Sequence, residues 1–177
     1  MRKGFVWTAL VSLFAICSMA VPALAAEKGL ARADKAFVKS AAGGGMMEVQ
    51  MGELATKNAA SQEVKDFGQR MVTDHGKAND ELKTIAAAKD VKLPTELKGK
   101  QKEKVDKFSK LTGAEFDKKY MQAMVKDHVK DIAKFNKAIK NVKDPEINAW
   151  ATKTLPTLEQ HLQQAKELAQ KVGAEVK

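Results

Sequence analysis

At 177 residues and 44% hydrophobic content, the chain has the size of one domain with a real core and is too short for several. Its 31 Lys and Arg against 22 Asp and Glu give a net charge of +9, spread along the chain rather than gathered into a nucleic-acid footprint. A single cysteine, Cys17, excludes an internal disulfide, so the fold must rest on packing.

The first 25 residues read as an address label. Arg2 and Lys3 are followed by an uncharged apolar run, Phe5 to Ala20, and Ala23-Leu24-Ala25 supplies a small-x-small cleavage site. Cleavage is expected after Ala25, which leaves no transmembrane anchor, removes Cys17 and lowers the net charge to +7. The mature protein is therefore expected in the periplasm or outside the cell. Nucleic acid drops out as a partner there, and weak association with an anionic envelope surface becomes the electrostatic expectation.

Residues 26–33 read as a polar lead-in, and residues 34–172 as the folded domain, with a short tail at 173–177. Asp34 is placed to cap a first helix running to about Ala60. Its inward stripe is Phe37, Ala41, Gly45, Glu48, Gly52, Ala55 and Ala59, spaced three and four apart. Each glycine here costs about 0.8–1 kcal/mol relative to alanine, so close packing or room for something bound must compensate. Ser61 is the expected N-cap of a second helix to about Lys89, with Val64, Phe67, Met71, His75, Ala78, Leu82 and Ile85 inward. After a linker at Asp90 to Thr95, Glu96 to Leu111 reads as a short crossover helix with its lysines in water. Thr112 and Glu115 form a capping box opening a third long helix with Phe116, Tyr120, Met124, His128, Ile132, Phe135 and Ile139 inward. Asp144-Pro145 opens a fourth carrying Ile147, Ala151, Leu155, Leu158, His161, Ala165 and Leu168. Pro156 inside it predicts either a bend or a second helix start capped by Thr154. The fold class is all-α: an antiparallel, ferritin-like four-helix bundle with a lysine-rich crossover between helices two and three.

The most informative repeat is M-V-x-D-H, at Met71 to His75 and again at Met124 to His128. It uses two of the chain's three histidines and stacks a methionine one turn from each. Glu48 and His75 lie 12 and 14 residues from the first hairpin turn; His128 and His161 lie 13 and 16 from the second. At about 1.5 Å per residue, all four reach the middle of a bundle about 40 Å long. One carboxylate and three imidazoles at one level suit a single ion such as zinc, copper or iron. Met71 and Met124 would add soft ligands that favour copper(I), and Asp74 and Asp127 are further candidates.

These motifs, with G-x-x-F-D-x-x-Y from Gly113 to Tyr120 and L-P-x-L-x-x-H from Leu155 to His161, resemble an uncharacterised bacterial family of ferritin-like four-helix proteins. Its members are often labelled outer membrane proteins. The resemblance implies a secreted or periplasmic four-helix domain and brings no activity with it. Ferritin-like di-iron sites carry Glu-x-x-His on two helices, but Val72 and Leu158 stand where the carboxylates would precede His75 and His161. The sequence thus points to a metal-binding or stress-related module rather than an enzyme. Its alternatives are an envelope-interaction protein whose Glu/His centre is only a buried hydrogen-bond network, and a mononuclear metal oxidoreductase.

Overall fold

The computed structural model describes residues 30–175, so the expected signal segment and its cleavage point lie outside the described residues. Within them are five helices and no strand: α1 (Arg32–Asn58), α2 (Gln62–Ala88), α3 (Gly99–Phe108), α4 (Gly113–Asn141) and α5 (Pro145–Lys171). Four are long, and the short α3 is the lysine-rich crossover. No helix among the described residues is long and apolar enough to cross a membrane.

Three-residue turns join α1 to α2 and α4 to α5, making two antiparallel hairpins. Around the molecule α1 packs on α2, α2 on α5, α5 on α4, and α4 on α1, with α3 against α1. Two buried aspartates lock the hairpins to each other. Asp117 of α4 accepts the backbone N–H groups of Ala60 and Ser61, at 3.1 and 2.9 Å, in the α1–α2 turn. Asp34 of α1 accepts those of Lys143 and Asp144, at 3.1 and 3.0 Å, in the α4–α5 turn. Each acid satisfies amides that would otherwise be orphaned at a helix start.

Three of the expected caps are not made. Asp34 does not cap α1, which begins at Arg32 without a side-chain cap. Ser61 and Thr112 make no capping bond either. The Ser61 N–H is taken by Asp117, and Gly113 turns the chain into α4 with φ +66, where a side chain would be strained. Asp144 does cap α5, accepting from Glu146 and Ile147. That helix runs unbroken through Pro156, and Thr154 donates to the Trp150 carbonyl at 2.8 Å rather than starting a new helix.

The small stripe on α1 is close packing, most clearly at Gly52. A Cβ there would lie 2.5 Å from the Gly68 carbonyl oxygen of α2, and one on Gly68 would lie 2.8 Å from that of Gly52. The expectation that the lysines of α3 stand free in water needs one correction. Lys104 reaches α4 and pairs with Asp127, both side chains being mostly buried, so it docks the crossover. The apolar core has two halves. One holds Phe67, Phe116, Tyr120 and the buried methionines; the other holds Leu82, Phe135, Ile147 and Trp150. Between them lies the Glu/His level.

Candidate metal centre

Glu48 is on α1, His75 on α2, His128 on α4 and His161 on α5, so each long helix supplies one side chain. Three of them are wholly buried and His75 is 7% exposed. His75 Nε2 lies 2.7 Å from Glu48 Oε2, and His128 Nε2 lies 3.3 Å from the same oxygen. His128 Nε2 is also 3.4 Å from His161 Nδ1. One nitrogen from each imidazole falls within 4.8 Å of the others.

The partners of the outer ring nitrogens fix what points inward. His128 donates from Nδ1 to the Met124 carbonyl, at 2.9 Å, so Nε2 is the nitrogen that faces the centre. His161 donates from Nε2 to Asp74 Oδ2, at 2.8 Å, which leaves its Nδ1 lone pair facing the same point. Arg70 holds Asp74 in turn, at 3.2 Å, and ties itself to Gln160 and Gln164 of α5. A carboxylate behind an imidazole is how metal-ligating histidines are oriented.

The carboxyl and the imidazoles shift one another's titration. Burial alone would raise the Glu48 carboxyl, but the imidazoles of His128 and His75 overcome it and bring it down to about 2. His75 is pulled the other way: burial would lower it, and Glu48 raises it more. Burial and its two imidazole neighbours depress His161 to about 4, so that ring is neutral at neutral pH. Both carboxylate oxygens of Glu48 and Nε2 of His75 lack a well-formed hydrogen bond, although all three are buried. Such orphaned groups call for a missing partner.

A tetrahedral ion with bonds of about 2.0–2.1 Å needs ligand atoms about 3.3 Å apart. The contacts of 3.3 and 3.4 Å at His128 Nε2 match that edge. The 2.7 Å between His75 Nε2 and Glu48 Oε2 is shorter than that edge, so these two side chains would have to part slightly around an ion.

The other sequence candidates divide. Asp74 stands behind His161 rather than in the centre. Asp127 faces Lys104 of α3 and is not part of the cluster. Met71 and Met124 are fully buried one helical turn from their histidines, on the side of the α1–α2 turn. Met51, one turn beyond Glu48, is buried in the same core half. The sequence reading missed Met51, Arg70, Asp131 and the hydroxyl of Tyr120. Tyr120 is wholly buried with no partner for that hydroxyl, and burial and the charge of Glu48 hold it well above the usual tyrosine range. Its place two turns before His128 was the available signal.

Residues 19–168 match the family described as a domain of unknown function, DUF4142. The chain belongs to the DUF4142 family. This corrects the resemblance to outer membrane proteins drawn from the sequence, because the family matched is DUF4142 and the structural relatives are of other kinds. No curated protein matches the chain. Among solved structures, this DUF4142 protein is similar to CopM in the Cu(I)-bound form, with TM-score 0.66 and 17% identity over 78% of this chain and 96% of that one. A candidate secreted DUF305 protein from Streptomyces coelicolor matches with TM-score 0.70 and 13% identity over 82% and 96%. A DUF305 fragment from Deinococcus radiodurans matches with TM-score 0.72 and 9% identity over 81% and 99%. At these identities the likeness is one of fold.

Proposed function

We propose that this DUF4142 protein is an extracytoplasmic metal-binding module, a ferritin-like bundle that holds one ion through Glu48, His75, His128 and His161. The observation that carries the reading is the convergence of three buried imidazole nitrogens, within 4.8 Å of one another, beside the buried carboxylate of Glu48. Copper is the ion favoured over zinc and iron. CopM, which shares the fold, is described in Cu(I)-, Cu(II)- and Ag-bound forms. Met51, Met71 and Met124 also surround one side of the centre with thioethers, which suit a soft ion. The apolar leader of residues 1–25 and the description of the Streptomyces relative support export to the periplasm or beyond, with the mature chain beginning at Ala26. Its surplus of lysine supports weak contact with anionic envelope surfaces.

A second reading rests on the 2.7 Å contact between His75 and Glu48, which by itself is a buried ion pair fixing the packing. Thermal melts separate the two. Protein purified with chelator should gain stability on adding Cu(II) or Zn(II), because an ion that binds only the folded state raises Tm. His75→Gln, His128→Gln and His161→Gln should each abolish the gain while leaving a folded bundle. A gain unchanged in all three would place the ion elsewhere, and no gain in the wild type would leave the ion pair as the whole role of the centre.

A further inference from the structure

A small cavity lies directly beside the Glu/His level, on the side opposite the methionines. All four long helices line it. His75 stands at its inner end, and Gly44, Gly45, Asn79, Asp131 and Trp150 are among its walls. Its volume of about 30 Å³ admits a water-sized species and no organic substrate. Ser40 and Lys134 are the exposed residues of its lining, so it opens between α1 and α4.

We propose that this cavity is the port by which a metal cation reaches the centre, with Asp131 as the carboxylate that receives it. This inference rests on the metal reading above. Three observations carry it. His75, almost wholly buried and with Nε2 2.7 Å from Glu48 Oε2, is the residue of the centre that lines the cavity. The other approaches are shut: Met51, Met71 and Met124 are fully buried on one side, and the Arg70 guanidinium spans the α2–α5 seam. The opening itself exists because the glycine run of α1 carries no side chains. A Cβ on Gly45 would collide with the amide of Asn79, whereas one on Gly44 would meet nothing within 4 Å.

Asp131 is a second acid near the centre. Its side chain is 19% exposed and pairs with Lys134 at 2.9 Å. Burial, and the negative charge of Glu48 behind it, raise its carboxyl, and Lys134 offsets them only in part. An entering ion would complete that offset, and Lys134, which is more than half exposed, can swing away.

Gly44→Leu tests the port, since its Cβ meets nothing within 4 Å and the rest of its side chain would occupy the opening. Gly76→Leu is the control, because Gly76 also has open space around its Cβ but lies outside the cavity lining. Chelator-stripped protein is mixed in a stopped-flow instrument with Cu(II) or Zn(II), and equilibrium affinity is measured separately by competition with a chromophoric chelator. Gly44→Leu should slow loading and release alike, at least tenfold, with Kd within twofold of wild type. Asp131→Asn should slow loading several-fold, and Gly76→Leu should change neither. Loading at the wild-type rate in both Gly44→Leu and Asp131→Asn overturns the port and leaves the metal site standing. A wild type that binds neither ion overturns both.

Discussion

Lowering the pH on metal-free protein tests the charge arrangement of the centre. His161 titrates at about 4 in the fold against 6.5 in the unfolded chain. Between those values the unfolded chain takes up a proton that the folded protein refuses, so stability falls as pH falls. The gap, at about 1.4 kcal/mol per pH unit, amounts to about 3 kcal/mol. The side chain is 0% exposed, so solvent screening does not reduce this. His75 has the opposite sign: its raised folded value gives a contribution fully present at pH 6.5 and below, and lost only on the alkaline side. Glu48, held at about 2 against 4.5, loses its contribution only below pH 4.5. From pH 6.5 to 4.5 His161 therefore sets the fall in stability, which Asp131, its carboxyl raised in the fold, offsets in part. Urea denaturation followed by circular dichroism, with chelator present throughout, should show most of that loss in the wild type. His161→Gln can still donate to Asp74 but cannot titrate, and should flatten the slope. A wild type with level stability across that range, or an equal slope in His161→Gln, would refute the reasoning.

Asp117→Ala should cost about 2–4 kcal/mol in urea denaturation, because it leaves the amides of Ala60 and Ser61 without partners in a closed turn. The two aspartates of the repeated motif should behave differently. Asp74→Asn should weaken ion affinity about 10–100-fold, since it loosens the group orienting His161. Asp127→Asn should leave affinity unchanged and cost about 1 kcal/mol of stability by freeing Lys104 and α3, which chelator competition and urea denaturation would check.

The long helices and their inward stripes were legible because core positions recur at helical spacing, and three histidines on such stripes stand out in a lysine-rich chain. Helix starts were legible in position, at Ser61, Thr112 and Asp144, but the bonds that satisfy them were not, since only Asp144 makes a side-chain cap. Asp34, Ser61 and Thr112 have the residue types of caps, yet the amides of the two turns are satisfied by acids more than fifty residues away. Long-range partners leave no local pattern. For the same reason Asp131 and Arg70 read as ordinary surface charges. Their significance lies in what faces them: a glycine run on one side, and an aspartate with two glutamines on the other.

The duplicated M-V-x-D-H has a physical reading that the repeat alone does not give. The two clasps relate α1 to α4 and α2 to α5: Asp34 holds Lys143 and Asp144 as Asp117 holds Ala60 and Ser61. A duplicated hairpin would put copies of one motif on α2 and α5. Instead they lie on α2 and α4, which run in the same direction because both leave the end of the bundle where Ala59 meets Gly113. Two helices of like direction carry Met and His in the same order, so both methionines fall on one side of the centre and both histidines in it. The shared Met and His thus follow from what the centre requires of two like-directed helices. The shared Asp does not, since Asp74 turns to His161 and Asp127 to Lys104.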